Sequence, residues 1–140
     1  MISAIDTNVL IALWDRDDTL NSAAQAALDA AYARGKLVIG GAVFAELLAF
    51  PRRTEVFLNQ FLKDTGIAVD WSMDELIWRT AGNSFQKYAR RRRKQRVGQT
   101  RRILADFLIG AHALEKGYSL LTLDEGIYRA AFPKLHIVRV

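Results

Sequence analysis

A chain of 140 residues, 51% of them apolar, is long enough to bury one core and reads as a single domain over residues 1–140. It contains no cysteine, which removes disulfides, thiol nucleophiles and cysteine-ligated zinc and is compatible with a reducing cytoplasm. The net charge of +5 is uneven: "RRRRKQRVGQTRR" holds Arg90, Arg91, Arg92, Arg93, Lys94, Arg96, Arg101 and Arg102, leaving twelve basic against fifteen acidic residues elsewhere, net −3. A mildly acidic body with one strongly basic segment suits a polyanionic partner.

"MISAIDTNVL" has no basic leader and is interrupted by Asp6, so no signal peptide is expected. The longest nearly apolar stretch, "LVIGGAVFA", falls far short of the roughly 20 residues that span a bilayer. "ISAI" reads as a short strand stopped by "DTN", where Asp6 or Thr7 caps the helix "NVLIALW". Residues 19–34 are alanine-rich and predict a helix ended by Gly35, followed by a buried strand, "KLVIG". "GAVFAELLAF" is a short helix stopped before Pro51, residues 53–65 form an amphipathic helix closed by Gly66, and "IAVDW" is a third strand. A long helix runs from Met73 into the arginine run, with Trp78, Phe85 and Tyr88 near helical spacing and read as core. "VGQT" breaks it, and Thr100 is the expected cap of the next helix, "RRILADFLIGAHALEKG", which ends at Gly117. "YSLLTLD" is a strand, residues 125–131 a short helix, and "LHIVRV" a closing strand. Apolar strands alternating with helices predict an α/β fold, a parallel sheet covered by helices on both faces.

In such sheets, ligands bind beyond the carboxyl ends of the strands. Asp6 and Asp124 each follow a predicted strand, and Glu46 sits early on the helix after "KLVI". Asp106 lies in the apolar part of its helix, where burial without a partner costs several kcal/mol. Each has a plainer reading: a strand-ending Asp also caps, a helical Glu is commonly solvated, and Asp106 has Arg102 one turn away. Gly110, on the same stripe as Asp106, costs roughly 1 kcal/mol of helix stability and makes sense if something approaches that face closely. Two carboxylates about 4 Å apart repel by roughly 4 kcal/mol at an effective dielectric of about 20, so four in one crevice require protons or a divalent cation. An all-oxygen site favours Mg²⁺ or Mn²⁺ over zinc. His112 lies six residues beyond Asp106 and points elsewhere; it and His136 are read as structural. A carboxylate-held dication beside a basic patch is the arrangement of phosphodiester hydrolysis, and neither a nucleophile triad nor a Gly-rich phosphate loop competes.

Four segments then resemble a known set. "AIDTNVLI" looks like the opening motif of the PIN-domain nucleases, "FAELL" like their helical glutamate motif, "ADFLIGAHA" like their third motif and "LLTLDEGIY" like the fourth. The order and gaps are similar across residues 2–128, and the length is most like the VapC-type toxins of toxin–antitoxin pairs. The resemblance implies a three-layer α/β/α sandwich around a parallel sheet, with Asp6, Glu46, Asp106 and Asp124 as catalytic and metal-binding residues. Asp6 and Asp106 would be the direct ligands, and Glu46 and Asp124 would act through water; Thr7, Asn8 and Thr122 match supporting polar positions. It also implies Mg²⁺- or Mn²⁺-dependent endoribonuclease action on structured RNA such as tRNA or rRNA, a homodimer, and inhibition by a cognate antitoxin. Two departures stand out: the arginine-rich segment before the third motif, and Tyr128 where phenylalanine is more common.

The basic segment reads either as a solvated face, as a phosphate clamp beside the acidic crevice, or as a dock for an acidic antitoxin stretch. Phosphate contacts position a substrate without reading its sequence. The whole predicts a cytoplasmic toxin-type ribonuclease with no membrane association; the alternatives are a nuclease of RNA processing or DNA cleavage and a non-catalytic nucleic-acid binder using the arginine run.

Overall fold

The computed structural model describes residues 1–94 and 103–140. Its elements in chain order are β1 (Ile2–Ile5), α1 (Thr7–Trp14), α2 (Asn21–Arg34), β2 (Lys36–Gly40), α3 (Gly41–Leu48) and α4 (Glu55–Thr65). There follow β3 (Ala68–Asp70), α5 (Glu75–Lys94), α6 (Leu104–Lys116), β4 (Ser119–Thr122), α7 (Glu125–Ala131) and β5 (Ile137–Arg139). The five strands pair in parallel in the order β3-β2-β1-β4-β5, and the helices flank this sheet as the three-layer reading anticipates. The central strands are apolar runs because both their faces are covered: Ser3 to Ile5, Leu37 to Ile39 and Ser119 to Thr122 are all buried.

From β1 the chain steps outward through β2 to β3, then returns and steps the other way through β4 to β5. The reversal falls between β1 and β4, which pair at Ser3–Ser119, Ala4–Leu120 and Ile5–Leu121. A crevice opens at such a point because the connections on its two sides leave in opposite directions.

Local chemistry explains where the helices stop. Thr54 accepts a hydrogen bond from the Phe57 amide at 3.0 Å and starts α4. Gly66 and Gly117 end α4 and α6 with φ of 71°, a left-handed turn that glycine enters without a Cβ penalty. Helix α5 packs on α6 through aromatic rings: Phe85 stacks on Phe107 at 4.8 Å, and Tyr88 meets the same ring at 5.5 Å. Burying one such ring is worth about 1.5–3 kcal/mol.

Three expectations change here. Trp78 is not core: Ile77 and Ala81 take the inward positions of that turn, and Trp78, about 100° further round the helix, is exposed. Helix α6 begins at Leu104, with Ile103 at the cap position and no side-chain cap bond. Asp106 therefore stands half-buried in the first turn, where the helix dipole favours an anion, rather than deep in an apolar helix. Thr100, like Arg96, Arg101 and Arg102, lies outside the described residues. As for Gly110, the group that approaches it is internal: a Cβ there would overlap the Phe132 ring at the end of α7.

Both histidines are tied into the frame. His112 Nε2 lies 3.0 Å from Asp70 Oδ2, which also accepts from the Tyr118 hydroxyl at 2.8 Å, so the edge strand β3 is clasped to α6 and to the residue before β4. His136 Nδ1 and Ser119 Oγ are 2.8 Å apart.

Candidate active site

The last residue of β1 is Ile5, and the next residue, Asp6, caps α1: its Oδ1 accepts from the Thr7 amide at 2.8 Å. Its Oδ2 accepts from the Thr122 hydroxyl at 2.8 Å, across the junction with β4. The same Thr122 oxygen accepts from the Asp124 amide at 3.0 Å, so one buried hydroxyl sets the positions of two carboxylate residues. Thr7 donates its hydroxyl to Glu46 Oε1 at 2.6 Å, fixing the side chain that α3 brings in from beyond β2. Asn8 Oδ1 accepts from the Leu123 amide at 3.2 Å and ties α1 to the end of β4. Of the polar residues anticipated as supports, Thr7 and Thr122 bond acidic side chains directly, and Asn8 bonds the backbone between Thr122 and Asp124.

Asp6, Glu46, Asp106 and Asp124 line one pocket of about 230 Å³ at the carboxyl edge of the sheet. They arrive from four separate places: the ends of β1 and β4, the second turn of α3, and the first turn of α6. Among the described residues, no three His, Asp or Glu side chains stand close enough to form a ready-made metal ligand set. The pocket is instead an open oxygen-lined basin.

Its electrostatics are those of crowded anions. Burial raises the Asp6 pKa from 3.8 to about 6, against the hydrogen bonds from Thr122 and the Thr7 amide and the nearby Tyr128 hydroxyl, and the Asp106 charge adds to the rise. Holding Asp6 ionised at neutral pH thus costs about 3 kcal/mol relative to the unfolded chain.

One wall residue lay outside the sequence reading of the site. Tyr128, on α7, is 1% exposed and lines the same pocket. Burial and the charges of Asp6, Asp106 and Glu46 push its hydroxyl far above the ordinary phenol range, so it stays protonated. That hydroxyl lies beside Asp6 and pulls its pKa down, yet closes no hydrogen bond within normal limits of length and angle. A buried donor left in that state costs about 1–3 kcal/mol. The only signal in the sequence was a tyrosine at a position where phenylalanine is more common.

Of the basic segment, Arg90, Arg91, Arg93 and Lys94 are exposed at the C-terminal end of α5, where cations complement the helix dipole, and Arg92 is half-buried with Nη1 3.3 Å from the Tyr88 hydroxyl. Arg92 and Arg93 border a groove of about 770 Å³ between α5 and α6 that reaches Ile103 and Leu104, one turn from Asp106.

The PIN domain family model matches residues 4–133. Among solved structures, the chain is similar to VapBC2 from Rickettsia felis bound to a DNA fragment from its promoter (TM-score 0.70, 18% identity, covering 99% of this chain and 98% of that one). VapBC-1 from nontypeable Haemophilus influenzae is similar with TM-score 0.67, 22% identity, and 99% and 98% covered. The sarcin–ricin loop-cleaving toxin VapC20 of Mycobacterium tuberculosis is similar with TM-score 0.60, 16% identity, and 99% of each chain covered. No curated protein sequence matches significantly.

Proposed function

From the premise that the chain belongs to the PIN domain family, whose model covers residues 4–133, we propose that it is a Mg²⁺- or Mn²⁺-dependent endoribonuclease and the toxin of a type II toxin–antitoxin pair. Its substrate would be structured RNA of the tRNA or rRNA class, cut by hydrolysis of a phosphodiester bond. The observation that carries this reading is the meeting of four carboxylates from four separated elements in one pocket at the strand reversal.

The residues fit a hard dication. The donor set is all oxygen, and Mg²⁺ keeps several waters, so a basin without three converging ligands among the described residues still suits it. Asp6 and Asp106 would hold the ion directly, with Glu46 and Asp124 acting through water. When bound, such an ion supplies Lewis-acid stabilisation of charge at phosphorus and lowers the pKa of water.

The protein's own part is positioning. Thr122 and the Thr7 amide pin Asp6, the Thr7 hydroxyl pins Glu46, and the Thr122 oxygen places Asp124, so the anionic wall is preorganised rather than assembled by substrate. The cations of α5, Arg90 to Lys94, would take backbone phosphates and guide the strand along the groove to Asp106. Arg96, Arg101 and Arg102 are proposed to extend that contact.

The antitoxin partner is supported by the assemblies this chain resembles, VapBC2 and VapBC-1, and a homodimer is proposed with it. Among the described residues no helix is long and apolar enough to cross a membrane, and a cytoplasmic place is proposed from the RNA substrate.

Incubation of total RNA with the purified chain tests the activity. Cleavage should require Mg²⁺ or Mn²⁺, stop with EDTA, and be absent in Asp6→Asn. Cleavage that persists in Asp6→Asn assigns the activity elsewhere. Co-expression with the product of a neighbouring small reading frame tests the pairing: growth arrest relieved by that product is expected, and unrelieved arrest removes the antitoxin assignment.

A further inference from the structure

Thr7 and Thr122 spend their hydroxyl hydrogens on Glu46 and Asp6. Tyr128 keeps its own: the hydroxyl is buried, faces the acidic pocket beside Asp6 and completes no hydrogen bond. Because that oxygen is shut off from solvent, it cannot reach a substrate at the pocket mouth. It can act only through a neighbour, and the neighbour is a carboxylate each of whose oxygens already accepts one bond and retains a second lone-pair direction.

We propose that Tyr128 is a positioning residue for the cation site, its hydroxyl supplying a third donor that locks the Asp6 carboxylate in its ion-binding orientation. This rests on the metal-dependent reading above. The ring itself is core, packed under α7, so phenylalanine would serve the fold equally well. The oxygen adds a donor that the fold does not use, at the one carboxylate that is itself almost fully buried. Outer partners of this kind set ion affinity by about 10–100-fold.

The test removes one atom. Full-length wild type, Tyr128→Phe, Asp6→Asn and Leu135→Val are stripped with EDTA, dialysed, and titrated with Mn²⁺ by calorimetry at neutral pH, with thermal unfolding followed in EDTA. Wild type should take up Mn²⁺ and Asp6→Asn should not. Tyr128→Phe should bind about 10–100-fold more weakly while its unfolding midpoint in EDTA stays at or above that of wild type. Leu135→Val, which disturbs core packing just beyond α7 and away from the pocket, should lower the midpoint and leave the affinity unchanged. Wild-type affinity in Tyr128→Phe overturns the proposal and leaves the metal site standing, as does a loss that tracks a lowered midpoint in both Tyr128→Phe and Leu135→Val. No Mn²⁺ uptake by wild type removes the metal-dependent reading and this inference with it.

Discussion

Asp6 and Asp70 are both carboxylates at the carboxyl end of a parallel strand, both at least half-buried, each with a tyrosine hydroxyl beside it, and their fates are opposite. At Asp70, burial also works against the charge, but donors from Ser72, Tyr118 and His112 outweigh it and hold the group well below the usual carboxylate range. At Asp6, burial wins over Thr122, Tyr128 and Thr7, because the next charged group is another acid, Asp106, and the pKa rises to about 6. The difference lies in what faces each group. Asp70 is answered by an imidazole and a phenol, which makes a clasp across the sheet edge. Asp6 is answered by hydroxyls, an amide and a second acid, which leaves its charge disfavoured where that of Asp70 is favoured.

That contrast can be broken in order of size. Asp6→Asn should abolish RNA cleavage, a loss beyond the about 10–100-fold that outer-shell partners cost, measured on total RNA with Mn²⁺. Asp70→Asn should leave cleavage close to wild type and instead lower unfolding free energy by about 2–3 kcal/mol in urea at neutral pH, since a charged acceptor of several bonds becomes a neutral one. If Asp70→Asn lost cleavage and kept stability, the division of labour would be wrong.

Smaller, and opposite in sign, is the effect of Asp6→Asn on stability. The folded pKa of Asp6 lies above its unfolded value, so the unfolded chain ionises first and stability is lost as pH rises from 3.8 to about 6. The metal-free Asn variant should therefore be more stable than wild type by about 1–3 kcal/mol at pH 7, with the gap closing toward pH 4. For Asp70 the folded pKa is depressed, so its contribution is present above 3.8 and lost on further acidification. Urea unfolding of both variants should give a difference curve that changes between about pH 4 and 6 for Asp6→Asn, and one of opposite slope that changes only below about pH 4 for Asp70→Asn; parallel curves would refute the contrast. The least of the effects is electrostatic and distant from both acids. If about five basic residues contact single-stranded RNA, log affinity should fall with log salt at a slope near −3.5, and each Arg→Gln change in Arg90 to Arg93 should reduce its magnitude by about 0.7. A slope near zero would remove the clamp.

Much of this was legible in the order of residues. "ISAI" and "YSLLTL" end in Asp6 and near Asp124 because both-face burial makes a strand a continuous apolar run, and such a run has visible ends. The start of α6 was not legible, since Ile103 is no cap signal and the arginines before it favour helix; Asp106 therefore looked buried in mid-helix rather than poised in a first turn. Trp78 departs from the core reading because seven-residue spacing from Phe85 lets a helix face be guessed but not which edge of it α6 covers. Gly110 and Tyr128 were opaque for a shared reason: their partners, Phe132 and Asp6, come from elsewhere in the chain, and only packing brings them together.

The pairing of β1 with β4 has a consequence in time. Asp6 emerges from the ribosome first among the four acids and Asp124 last, and the hydroxyl that joins them, Thr122, is made only two residues before the end of that set. A nascent chain therefore carries the halves of its basin apart until translation has passed α7. During synthesis the carboxylates therefore stay hydrated and do not yet repel one another.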